Sequence, residues 1–167
     1  ELRGSPRGAV FACCHLGNWE FLNLCCPFFT GGRPTSVVMR PPPYPFVGRL
    51  LMWYRGRTGQ RVLHRTRAVL RSYALVRDGG GIAMVFDVSV PPQSGAEAVD
   101  FLGVPTYTTL APAHIAALTG ASLLLCYALP LGKQRYRLAM ERIEVPRGET
   151  VRETSLALTR KLSLALE

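Results

Sequence analysis

An α/β fold with a mostly parallel central sheet flanked by helices is predicted by three observations. Short apolar runs alternate with longer stretches of helical periodicity along the whole of the 167 residues. The runs at Gly8–Cys14 and Ile82–Phe86 show no polar alternation, as expected of strands buried on both faces. Glycine pairs and triplets, Gly31-Gly32 and Gly79-Gly80-Gly81, separate the two kinds of segment.

Each element follows from its residues. Gly8–Cys14 is the first strand. Asn18–Phe29 is a helix, with Trp19, Leu22, Cys25, Cys26 and Phe29 at helical spacing and Asn18 as its cap. Thr35–Met39 is a second strand, and Pro41-Pro42-Pro43 force the chain out of the sheet. Tyr44–Arg57 reads as an amphipathic helix, with Phe46, Val47, Leu50, Leu51 and Tyr54 set against Arg49 and Arg57. Gln60–Leu63 is a third strand. Thr66 caps a helix that runs to Val76, and Ile82–Phe86 is a fourth strand ending in Asp87. Val90–Glu97 is a loop, followed by short extended pieces at Val99–Leu102 and Thr106–Thr108. Leu110–Leu118 is a small-residue helix with Pro112 in its first turn, where proline is tolerated. Ser122–Ala128 is the fifth core strand, and Tyr136–Val145 alternates as a strand with one wet face. Thr150-Val151-Arg152-Glu153 has the capping-box pattern and opens a last helix through Leu158, Leu162 and Leu166. No internal repeat or domain break interrupts this order, so a single catalytic domain over residues 1–167 is expected. The chain starts at Glu1 and stops while a helical pattern is still running, so it is expected to be an excerpt of a longer protein.

Composition narrows the function classes. Hydrophobic residues are 48% and charged residues 19%, which excludes a disordered chain. The apolar run Ala121–Leu131 is too short to span a bilayer. The net charge is +9, and between Phe21 and Arg77 there is no Asp or Glu. That interval holds Arg33, Arg40, Arg49, Arg55, Arg57, Arg61, Arg65, Arg67, Arg71 and Arg77. A block of one sign suits a phosphate-bearing or acidic partner: an anionic membrane surface, a phosphorylated substrate, an acidic carrier protein or nucleic acid. Phe46, Trp53 and Tyr54 fall at helical spacing beside Leu50 and Leu51, which fits a lipid-facing helix better than a base-stacking platform. Nucleic acid is therefore not the expected partner. Cys13, Cys14, Cys25, Cys26 and Cys126 form no disulfide framework and no CxxC. Cys13 and Cys14 would point to opposite sheet faces, so neither zinc nor any other metal is expected, and the thiols are expected to be reduced and buried.

The chemistry concentrates at Ala9–Glu20. His15 closes the first strand and Glu20 follows five positions later. On one continuous helix those side chains would stand roughly 140° apart. A strand–turn–helix junction at Gly17-Asn18 would let them meet, with Glu20 orienting His15 as a general base. Ligands of such sheets bind at the carboxyl ends of the strands, and His15, Arg40 and Asp87 all fall there. His64 and His114 read as structural, and Trp19 and Trp53 as packing or membrane-facing residues.

His15-Leu16-Gly17-Asn18-Trp19-Glu20 resembles the H-x4-E signature of the bacterial lipid A biosynthesis acyltransferases, within the lysophospholipid and glycerolipid acyltransferase superfamily. The likeness continues through Val38-Met39-Arg40-Pro41 and Tyr44-Pro45, Arg55 with Thr58-Gly59, Leu70–Asp87, Asp100–Pro105, Thr108 and Ala111-Pro112-Ala113. These matches cover nearly the whole chain in the family's order. Val88 stands where the family usually has Gln, and the hydrophobic N-terminal anchor and aromatic-rich C-terminal end of the family are absent from this chain.

The resemblance implies transfer of a fatty acyl group from a thioester, on acyl carrier protein or coenzyme A, to a hydroxyl of a membrane glycolipid such as a lipid A precursor. It implies no metal or tightly held cofactor, and a place at the cytoplasmic face of the inner membrane. His15 is then the general base and Glu20 its partner. Gly17 and Asn18 are candidate oxyanion donors, Arg40 and Arg55 candidates for phosphate or sugar binding, and Asp87 a residue that orients one of these arginines or binds the acceptor sugar. Two other readings stay open: ester hydrolysis by the same pair, and a basic membrane- or nucleic-acid-binding module without catalysis.

Overall fold

The computed structural model describes residues 7–40, 42–64, 66, 68–144 and 150–166. The expectations placed on Pro41, Arg65, Arg67 and Val145 lie outside these residues. The chain builds β1 (Ala9–Gly17), α1 (Trp19–Phe29), β2 (Thr35–Met39), α2 (Pro45–Gly56), β3 (Arg61–His64), α3 (Ala68–Arg77) and β4 (Gly81–Val85). There follow β5 (Ala96–Phe101), β6 (Val104–Thr109), α4 (Ala111–Thr119), β7 (Ser122–Pro130), β8 (Tyr136–Ile143) and α5 (Val151–Leu166).

Six strands form one sheet in the order β3-β2-β4-β1-β7-β8. All pair in parallel except β8, which returns antiparallel to β7 at the edge. This is the predicted α/β architecture. The alternation along β1 feeds two cores. Val10, Ala12 and Cys14 join one cluster with Ile115 of α4 and Leu158 and Leu162 of α5, while Phe11 and Cys13 join another with Leu22 and Cys26 of α1. Both faces of β1 are therefore sealed by helices, which is why its sequence lacks polar alternation.

Two pieces expected to be merely extended, Val99–Leu102 and Thr106–Thr108, pair as the β5–β6 hairpin. Its tight turn places Leu102 and Gly103 at positive φ, and Asp100 accepts the Gly103 N–H at 2.9 Å. The capping box forms as predicted: Glu153 accepts from the Thr150 backbone N–H at 3.1 Å, and Thr150 Oγ1 accepts from the Glu153 N–H at 3.3 Å. The Thr150 hydroxyl, which donates to the Glu153 carboxylate at 2.6 Å, and then the Thr150 backbone N–H hold that carboxyl below the usual glutamate range. The Thr66 hydroxyl lies 3.1 Å from His64 Nδ1, and α3 runs from Ala68, with Arg67 between them outside the described residues.

Candidate active site

The sheet's carboxyl edge gathers the end of β1, the end of β2 and the segment after β4. The parallel pairing of β1 with β4 sets Cys13 against Val85. The Phe86 N–H still donates to the Cys13 carbonyl at 3.1 Å. One residue beyond each of these the strands leave their regular pairing, and His15 and Asp87 meet through the Asp87 side chain. Asp87 holds His15 twice: Oδ2 accepts the His15 backbone N–H at 2.7 Å, and Oδ1 lies 3.0 Å from Nδ1 of the ring. With Nδ1 protonated toward that oxygen, the Nε2 lone pair is the ring's free base. The His15 side chain is 43% exposed, so a substrate can reach it.

This corrects the expected pairing. The carboxylate on the His15 ring is that of Asp87, seventy-two positions away, and not that of Glu20. Glu20 sits in the first turn of α1 and pairs with Arg55 of α2. Arg55 Nε donates to Oε2 at 3.0 Å and Nη2 donates to Oε1, a two-pronged fit of guanidinium to carboxylate. Arg55 is only 5% exposed. Arg55, expected to hold phosphate or sugar, has a buried guanidinium paired with Glu20. Asp87 contacts His15, and among the described residues no hydrogen bond joins it to Arg40 or Arg55. Arg40 stands exposed at the end of β2, next to the strand that leads to Asp87.

Trp19 joins the two pairs. Its ring meets the His15 ring edge-on, with centroids 4.9 Å apart, and the Arg55 guanidinium stands 5.7 Å from its centroid. The sequence reading took Trp19 for a packing or membrane-facing residue. Its place one residue before Glu20 and four after His15 was the available signal.

The turn between the two pairs is set by Gly17. A bulge breaks the β1–β7 register between Cys13 and Gly17, and Gly17 re-enters opposite Ala128 at φ +65°. A Cβ there would lie 1.8 Å from the Ala128 carbonyl oxygen. Only glycine fits. Asn18 then caps α1, its Oδ1 accepting the Phe21 N–H at 3.0 Å. The bulge takes the segment that carries His15 out of its regular register with β7 just before the chain turns into α1.

The cysteines beneath the site are free thiols. Cys13 and Cys14 enter opposite cores, as the alternation predicted. A side-chain hydrogen bond with Cys26, and then burial, hold the Cys13 thiol well above its usual range; burial raises that of Cys14. Neither is poised as a nucleophile for the adjacent histidine. The other histidines are tied down elsewhere, His64 to Thr66 and His114 Nδ1 to Ser155 Oγ at 3.3 Å. Val88 is exposed beside Asp87.

Fold and edge together define a class: a mostly parallel α/β sheet, covered on both faces, that carries a carboxylate-held histidine where its central strands end. The chain belongs to the bacterial lipid A biosynthesis acyltransferase family, whose model matches residues 1–142. No curated protein matches it in a direct comparison. Membership makes it an acyltransferase of lipid A biosynthesis, acting between an acyl donor and a lipid acceptor. The family is membrane-associated in bacteria. Among the described residues no helix is long and apolar enough to cross a membrane.

Proposed function

We propose that the protein transfers a fatty acyl chain from a thioester, on acyl carrier protein or coenzyme A, to a hydroxyl of a membrane glycolipid such as a lipid A precursor, at the cytoplasmic face of the inner membrane. The observation that carries this reading is the His15–Asp87 contact at an exposed sheet edge. His15 Nε2 takes the proton of the acceptor hydroxyl as its oxygen attacks the thioester carbonyl carbon. The tetrahedral intermediate collapses, the carbon–sulfur bond breaks, and the same Nε2–H returns the proton to the departing sulfur. Asp87 keeps the ring in the tautomer that leaves Nε2 free and stabilises the imidazolium between the two steps. The raised Cys13 and Cys14 thiols favour direct transfer over an acyl-cysteine intermediate.

Glu20 and Arg55 position this machinery. Their part-buried pair ties the first turn of α1 to α2, and Trp19 on that turn packs against the His15 ring. Backbone N–H groups of Gly17 or Asn18, beside the positive end of α1, are candidates to stabilise the oxyanion. Arg40 is an exposed cation at this edge, suited to a phosphate or sugar of the acceptor. The chemistry needs no metal or cofactor.

The test is His15→Ala, assayed with an acyl thioester and a lipid acceptor. Transfer should fall by about 10²–10⁴-fold with an unchanged thermal melt, the usual value of a positioned base. A variant that kept a tenth of the activity would refute the mechanism. Thioester cleavage at the same rate without any lipid acceptor would instead mark the protein as a hydrolase. Lipid mass spectrometry of cells with and without the gene would identify the acceptor by its missing acyl chain.

A further inference from the structure

α2 is built inside out for a helix surrounded by water. Its inward face is Gly48 and Arg55, both buried. Its apolar ridge faces away from the protein: Phe46 is 70% exposed, Leu50 50% and Trp53 59%. These residues fall at i, i+4 and i+7, so they form one continuous line, roughly opposite Arg55 on the wheel. Arg57 continues that line, its guanidinium 4.9 Å from the centre of the Trp53 ring, and Arg49 flanks it, also exposed. A surface helix normally turns its apolar stripe to the core and its charges outward. Here the core side holds an ion-paired arginine, and the solvent side holds an aromatic and aliphatic ridge edged by cations.

We propose that α2 is the element with which the protein lies on an anionic lipid surface. Phe46, Leu50 and Trp53 enter the boundary between headgroups and acyl chains, and Arg49 and Arg57 bind lipid phosphates. Charge complementarity selects this occupant. No carboxylate occurs between Phe21 and Arg77, so nothing along this stretch repels an anionic leaflet. An acidic soluble protein would satisfy the arginines but would leave the ridge without an apolar counterpart, whereas a bilayer boundary accepts both at once. The same helix sends Arg55 inward to Glu20, so a docked α2 stays tied to the turn that carries His15.

The test is co-sedimentation of the chain with vesicles of phosphatidylcholine alone and of phosphatidylcholine mixed with phosphatidylglycerol. The anionic vesicles should bind it. Phe46→Ser/Leu50→Ser/Trp53→Ser should weaken that binding by about tenfold or more while the thermal melt is unchanged, since the three side chains are exposed. Arg49→Gln/Arg57→Gln should abolish the preference for the anionic mixture. Brominated acyl chains should quench the wild-type fluorescence and lose most of that effect in Trp53→Phe. The His15→Ala protein should bind as the wild type does, which separates this inference from the catalytic one. Equal vesicle binding by wild type and ridge variant would overturn it. So would a wild type that ignores vesicles but loses binding to an acidic carrier protein when the ridge is changed.

Discussion

Two carboxylates stand on either side of the turn after β1, and each holds one cation-forming partner. Asp87 holds His15 at the open edge of the sheet, where the ring is 43% exposed. Glu20 holds Arg55, which is buried between α1 and α2. A solvated pair contributes little to stability but leaves its histidine accessible to a substrate. A two-pronged pair whose arginine is buried is costly to break from the carboxylate side, because the guanidinium left behind keeps an uncompensated charge. Spacing alone would have given His15 to Glu20. The difference between the pairs divides the site into a part that reacts and a part that holds the first part still, with Trp19 in contact with both.

The largest break in that division is Gly17→Ala, which disturbs both pairs. The added Cβ meets the Ala128 carbonyl, and the residue keeps a positive φ. We expect a loss of about 4 kcal/mol or more, read as a drop of roughly 10 °C in Tm together with lost activity. A melt within a degree of wild type would mean that the bulge is not needed. Arg55→Ala breaks only the buried pair. It should cost about 3 kcal/mol, the low end for such a pair because Glu20 still reaches water, and activity should fall in proportion to the folded fraction and the loosened turn. An unchanged melt with selective loss of acceptor binding would return Arg55 to the role of a headgroup ligand. Asp87→Asn breaks only the rim pair. We expect kcat to fall by about 10²-fold, equivalent to ~2.7 kcal/mol of barrier, with Tm unmoved. If Glu20→Gln gave that rate-only signature and Asp87→Asn did not, the assignment of the two acids would be reversed.

Much of the fold was legible in the residues. Thr35–Met39 was bounded as observed, Asn18 and the Thr150–Glu153 box cap their helices, and Cys13 and Cys14 enter opposite cores. These are local matters of period, propensity and capping. The edge position of His15 was legible too, because an apolar run ending in a histidine before Gly-Asn leaves few other places for it. The apolar side of α2 was read from its spacing as lipid-facing, whereas Trp19 was legible as spacing but not as direction. A wheel shows which residues share a side, and only packing shows which side meets the protein.

The partner of His15 lay beyond what the residues could settle. A hydrogen bond between positions seventy-two apart depends on strand order and register, which arise when β4 inserts between β2 and β1 and pairs Cys13 with Val85. The order of residues by itself determined an α/β sheet, its caps and a histidine where a strand stops. The tertiary structure decided which acid that histidine touches, and it did so because parallel strands place residues side by side by ladder register, whatever their separation along the chain.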